Sequence, residues 1–206
     1  MDKTIAISVC INYSDYLAQT LPNNRPLFSK YYIITERSDT ETIKLAREYD
    51  CVLLFSDQKN ANGASFNKSG MIHAAQHFVH KRHTSDWIVI LDADIFLPSD
   101  IWKNINVTSL NKNGLYGISR KTYTTYSDYI DERVSSEDKC ETGVIGYFQL
   151  YWNKSKYYTP WSMNCSKCDI TFMQLFRHVR AFTTIYCFHF GEKNINWNGR
   201  ICTKWA

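Results

Sequence analysis

The chain has 206 residues, 44% of them hydrophobic and 15% aromatic, which is enough to bury one sizeable core and excludes a disordered chain. Lys and Arg number 24 against 20 Asp and Glu, and the formal charge of +4 comes without any dense basic run, so the bias is toward small anionic ligands such as nucleotides and not toward nucleic acid. No run approaches the ~20 apolar residues of a transmembrane segment, the N-terminal MDKTIAIS lacks the apolar core of a signal peptide, and seven scattered cysteines fit reduced thiols in the cytoplasm.

Residues 4–11 (TIAISVCI), 31–35 (YYIIT), 51–55 (CVLLF) and 87–91 (WIVIL) are apolar and largely β-branched or aromatic, as strands buried on both faces are. Between the second and third, SDTETIKLAREYD sets Ser38 and Glu41 at capping-box spacing and Ile43, Ala46 and Tyr49 on one face, which predicts a crossover helix. A second helix is predicted from about Ser65 to His80, with Met71, Ile72, Ala75, Phe78 and Val79 on its apolar side. Its other side carries His73, His77 and His80; the spacing could hold a metal, but without the glutamate of HExxH a solvated polar face is expected. This alternation predicts an α/β fold with an open, mostly parallel nucleotide-binding sheet flanked by helices, whose ligands gather at the carboxyl ends of the strands.

Asp92 and Asp94 end the fourth strand run, in WIVILDADIFLP. Two carboxylates held close repel unless something positive lies between them. Strand alternation turns both the same way with Ala93 pointing off, so the triplet reads as a claw for a hard divalent cation that would bridge to a diphosphate. The duller reading is a strand end facing water. Further on, LYGIS (115–119) predicts a strand, the polar residues 121–142 a mobile loop, GYFQLYW (146–152) a strand, 169–178 a helix and TTIYCFHF (183–190) a last strand. Cys165 and Cys168 are expected to be ordinary loop thiols, because a structural zinc needs four ligands and no second such pair is present.

In order along nearly the whole chain, CINYSDYL, ITERSD, ASFNKSGMIHAA, LDADIFLP, GYFQLYW, CDITF and HFGEKNINWNGR resemble the nucleotide-sugar-dependent glycosyltransferases of the GT-A fold. The resemblance implies one domain over 1–206, with a nucleotide-sugar and metal half (1–100) and an acceptor half (101–206). The chain is short for that fold, which implies either a minimal viral or bacterial version, working in the cytoplasm or host cytoplasm, or one domain of a longer protein. It implies manganese or magnesium on Asp92 and Asp94 with His189 completing the coordination, and Asp169 as the base of an inverting transfer from a nucleoside-diphosphate sugar, a UDP-sugar first, to a carbohydrate or other hydroxyl acceptor. Donor contacts would come from Asn12, Tyr13 and Asp15 after the first strand, Glu36 after the second, Asn67 and Lys68 before the long helix, Asp92 and Ala93, and Arg200 on the leaving diphosphate.

Each has a plain structural counterpart: Tyr13 a packing aromatic, Asp15 a helix cap, Lys68 a surface lysine, His189 a core histidine, Trp197 a core plug. Glu36-Arg37-Ser38-Asp39 departs from the family's Asp-Asp-Gly-Ser turn, so the acid that meets base or ribose is open. The competing readings are a non-catalytic nucleotide-sugar-binding module and a haloacid-dehalogenase-like phosphotransferase, although in the latter the acidic pair follows the first strand and here three strands precede it.

Overall fold

A computed structural model describes residues 3–139, 144–152, 154–192 and 195–201. Strands β1 (Thr4–Val9), β2 (Lys30–Thr35), β3 (Val52–Phe55) and β4 (Trp87–Leu91) alternate with helices α1 (Ser14–Asn24), α2 (Thr40–Glu48) and α3 (Lys68–Arg82). The four strands are mutually parallel in the order β3-β2-β1-β4. Alternate residues of each run go to opposite cores. Ala6, Ile33, Val89 and Leu91 pack with Leu17 and Leu21 of α1 and Ala46 of α2, whereas Ile5, Ile7, Ile34, Ile88 and Ile90 pack with Met71, Ile72 and Val79 of α3. Both sheet faces are therefore covered, which is why these strands read as continuous apolar runs.

The chain then passes through the short β5 (Ile95–Phe96), α4 (Ile101–Asn104), β6 (Gly114–Tyr123), α5 (Tyr126–Ile130), β7 (Ser136–Asp138), β8 (Phe148–Tyr151), α6 (Cys168–Met173) and β9 (His178–Phe190). Antiparallel pairing of β8 with β4 extends the sheet through β6 and β9 to β5, and β7 adds to β6. The result is the expected α/β architecture, a parallel half continued by a mixed half.

Four local expectations need correction. Residues 121–139 are not a loop: β6 runs to Tyr123, and Thr125 and Asp128 form a reciprocal capping box that starts α5. The rest of that stretch, 140–142, lies outside the described residues. The cap of α2 is Asp39 rather than Ser38; one carboxylate oxygen accepts from Thr42 N–H (3.2 Å), and the other accepts from Thr35 Oγ1 (3.2 Å) and Asn12 N–H (2.8 Å). One acid thereby ties the loops after β1 and β2 together. The last helix ends at Met173, because His178 already pairs with Gly114 in a long β9 that bulges between Phe182 and Tyr186. The histidine stripe of α3 is not solvated throughout: His80 is buried, with Nδ1 against the Lys154 carbonyl (3.1 Å) and Nε2 against the Tyr151 hydroxyl (3.0 Å).

Candidate active site

A cavity of about 530 Å³ opens at the carboxyl ends of β1 and β4 and is closed on the far side by α6. Ligands of open α/β sheets sit in this position. Its walls include Tyr13, Lys68, Asp92, Ala93, Asp94, Asp169 and His189 among the residues expected from sequence, and Trp197 beside them.

Asp92 and Asp94 leave β4 through a turn in which Ile95 N–H donates to the Asp92 carbonyl (3.3 Å), not along an unbroken strand, yet both side chains line the same cavity. Each has its own partner. Lys68 Nζ donates to Asp92 Oδ1 at 2.5 Å, and His189 Nε2 lies 3.6 Å from Asp94 Oδ2. The first contact exists because Lys68 opens α3, whose cap Asn67 is fully buried and accepts from both Gly70 N–H and Ser162 N–H at 2.9 Å. The second follows from register: β5 pairs antiparallel with β9 so that Ile95 faces His189, and Phe190 N–H donates to the Asp94 carbonyl (3.0 Å). Two residues past His189 the chain turns at Gly191, at φ +97°, where a Cβ would fall 2.5 Å from the Tyr16 hydroxyl.

Burial, with Asp94 close by, pushes the Asp92 carboxyl above its usual range although Lys68 pulls the other way. Burial acts on Asp94 too, but His189 and Lys68 win and hold it below that range. Burial disfavours the Lys68 ammonium, and the Asp92 carboxylate more than offsets it, so Lys68 stays charged. Asp94 Oδ1 and His189 Nδ1 are buried with no hydrogen-bond partner among the described residues. Among the described residues no group of three or more His, Cys, Asp or Glu side chains is drawn together as a metal cluster would be.

Asp169 faces this pair from the first turn of α6. Its Oδ2 accepts from Gly146 N–H (2.8 Å), and the chain approaches so closely there that a Cβ on residue 146 would lie 2.6 Å from the Asp169 Cβ. Oδ1 takes no hydrogen bond from a described residue, so the carboxylate is oriented by one oxygen and presents the other.

The remaining sequence candidates are engaged elsewhere. Arg200 grips Asp15 in a bidentate pair, donates to the Asn12 carbonyl (2.8 Å), and lies 5.1 Å from the ring centroids of both Tyr13 and Tyr16. Asn12, at φ +57°, Asp15 and Arg200 border a separate shallow groove. Glu36 pairs with Lys59 (3.1 Å), and Asn67 serves as the α3 cap.

Sequence reading missed Arg120, whose guanidinium pairs with Asp138 (2.7 Å) and overlies the Tyr147 ring (4.6 Å to its centroid) in the cavity wall. It also missed Gly146 and the buried Tyr158, whose hydroxyl donates to Gln149 Oε1. A glycine opening a strand was the only visible signal. Cys165 and Cys168 are free thiols on the same wall, and burial raises both, Cys168 to about 12.

No protein-family model matches this chain, and no curated protein sequence matches it significantly. Solved structures do. A 4-diphosphocytidyl-2C-methyl-D-erythritol synthase is similar at TM-score 0.56 and 12% identity over 98% of this chain and 94% of that one. The synthase of that name from Anaerococcus prevotii aligns at TM-score 0.53 and 15% identity over the same shares, 98% and 94%. A putative glucose-1-phosphate thymidylyltransferase from Bacillus anthracis aligns at 0.51 and 9%, over 92% and 87%. At such identities the likeness establishes the fold, that of GT-A-like nucleotide-binding enzymes.

Proposed function

We propose that this chain is a metal-dependent glycosyltransferase that moves a sugar from a nucleoside-diphosphate sugar, a UDP-sugar first, to a hydroxyl acceptor with inversion. The observation that carries the reading is the sharing of one cavity by Asp92 and Asp94, at the carboxyl end of β4, and Asp169, held across from them on Gly146 N–H. The likeness to a structure named as a putative glucose-1-phosphate thymidylyltransferase supports the broader class.

Charge supports a cation. The described lining residues include five carboxylates (Asp92, Asp94, Asp138, Asp169, Glu192) against three fixed cations (Lys68, Arg120, Lys139), a net of −2. A diphosphate would not enter such a cavity without added positive charge. The donor set, carboxylate oxygens and an imidazole, and the orphaned Asp94 Oδ1 suit a hard divalent ion such as manganese or magnesium. Asp92, Asp94 and His189 would hold it, and once bound it would offset the charge of the diphosphate.

The chain's own groups do the rest. Lys68, on the cavity wall, can pass its ammonium from Asp92 to a phosphate oxygen. Tyr13 offers a ring face to the base, kept in place by its contact with Tyr16 (5.3 Å between centroids) and by Arg200. Asp169 Oδ1 takes the acceptor's proton as its oxygen attacks the anomeric carbon from the face opposite the diphosphate. Nucleotidyl transfer from a triphosphate is less well supported, because residues 10–13 between β1 and α1 (Cys-Ile-Asn-Tyr) contain neither glycine nor a basic residue to cradle it.

A thermal-shift panel of nucleotide sugars with and without manganese identifies the donor, since a ligand of the folded state alone raises its stability. Calorimetry then measures the metal's share, and NMR of early product reads the anomer. Equal donor affinity in manganese and in EDTA sinks the metal role; a product that retains the donor's configuration sinks the displacement.

A further inference from the structure

On the face of α3 away from the sheet, His73 and His77 are one helical turn apart, with their Nε2 atoms 3.1 Å from each other. His73 Nδ1 lies 2.7 Å from the Tyr158 carbonyl. A carbonyl only accepts, so Nδ1 carries the proton and Nε2 of the neutral ring keeps a bare lone pair. That arrangement, an imidazole fixed from behind by a backbone carbonyl, is the one metal-ligating histidines use. The His77 ring is fixed as well, stacked on Tyr157 at 4.4 Å and 19°. His77 itself is exposed, and no described residue occupies its Nδ1.

We propose that His73 and His77 form a bidentate site for a nitrogen-preferring divalent metal (copper, nickel or zinc), separate from the donor cavity. At metal–nitrogen lengths of about 2.0–2.1 Å, an Nε2–Nε2 separation of 3.1 Å corresponds to an angle at the metal of about 100°, between the tetrahedral and square arrangements these ions adopt. The His73 and His77 rings lie at 71° to each other, so metal binding requires the exposed His77 ring to turn on Tyr157 until both lone pairs meet at one point. His80, next along the stripe, cannot be a third ligand, because both of its nitrogens are engaged with Lys154 and Tyr151. The other coordination positions face water.

Preference should follow copper above nickel and zinc, with magnesium and manganese excluded for want of carboxylates. This is the reverse of the oxygen-rich donor cavity. The two ligand rings themselves rest on the segment carrying Tyr157 and Tyr158, and Tyr158 lines the donor cavity.

The rival explanation of the same distance is a plain hydrogen bond, His77 Nε2–H donating to His73 Nε2. Nickel titration by calorimetry on the full chain separates the two, with copper EPR as the spectroscopic readout. Wild type should bind one equivalent of nickel at this site, and His77→Gln should weaken that binding at least tenfold while its melting temperature without metal stays unchanged. Asp94→Asn should leave it intact, which keeps this test independent of the donor site. Copper EPR should lose one coupled imidazole nitrogen in His77→Gln. If nickel affinity and the copper spectrum are the same in His77→Gln as in wild type, the pair is a hydrogen bond and the proposal is wrong.

Discussion

Lys68→Met tests the role of the ammonium on Asp92, because cation and donor should respond in opposite directions. In the structure Nζ sits 2.5 Å from Asp92 Oδ1, with side-chain exposures of 15% and 29%, so the lysine holds one arm of the proposed claw. A divalent ion binding there has to displace it and then tolerate it nearby. Two charges against one at roughly 6 Å in a water-filled cavity repel by about 1.4 kcal/mol, or tenfold in affinity, before the freed Asp92 oxygen is counted. Methionine keeps most of the apolar stem and removes the charge. Manganese affinity of the free protein, followed by EPR or calorimetry, should therefore rise at least tenfold. The same change deletes a charge-assisted contact to phosphate, worth about 1.5–3 kcal/mol, so UDP affinity at saturating manganese should fall ten- to a hundredfold. If both affinities fall together, Lys68 is a structural partner of Asp92 and the reasoning fails. If neither metal nor UDP binds the wild-type chain, the glycosyltransferase reading itself is lost.

Asp169→Asn should keep melting temperature and donor affinity, since the amide oxygen can still accept from Gly146 N–H, yet lose transfer by ~10²-fold or more in a steady-state assay; normal turnover would remove Asp169 from the mechanism. Gly146→Ala places a methyl 2.6 Å from the Asp169 Cβ, where neither atom can swing aside, so α6 must shift. Transfer should drop to near the Asp169→Asn level with donor binding retained, and the double variant should be no worse than either single one. His80 gives a pH signature: burial, then Lys154, lowers its pKa from 6.5 to about 4, so the fold refuses a proton that the unfolded chain takes. Its contribution is complete above about pH 6.5 and is lost as pH falls toward 4, amounting to at most about 2 kcal/mol near pH 5. Urea titrations near pH 7.5 and pH 5 should show that loss in wild type and less of it in His80→Gln.

What was legible in the sequence follows from range. The four parallel strands and their order of appearance were readable because each is a buried run whose neighbours on both faces are apolar, a property of the run alone. The placement of Asp92 and Asp94 at the carboxyl edge of the sheet came with them. The stretch 121–139 misled because its polar and aromatic composition resembles a loop, while β6 is held by β9, whose Phe190 pairs with Tyr123, and by β7. The histidine stripe misled for the same reason: helical periodicity places His80 opposite the apolar side, and only the return of Tyr151 and Lys154 to that side buries it.

The partners of the two acids were beyond any local pattern. Lys68 lies 24 positions before Asp92, and His189 reaches Asp94 through strand register across the sheet. The repulsion that made the triplet puzzling is thus met twice, once by an ammonium and once by an imidazole, before any metal is invoked. The presence of those partners does not weaken the cation reading. An isolated ion pair would be electrically closed, but this cavity still carries two more carboxylates than fixed cations among its described walls. Lys68 is also set at the first residue of a helix whose cap is wholly buried and doubly bonded, so its backbone is rigid while its long side chain is not. A charge on such a tether can leave Asp92 when a diphosphate arrives and return when it departs, which is the exchange that the opposite responses of Lys68→Met would reveal.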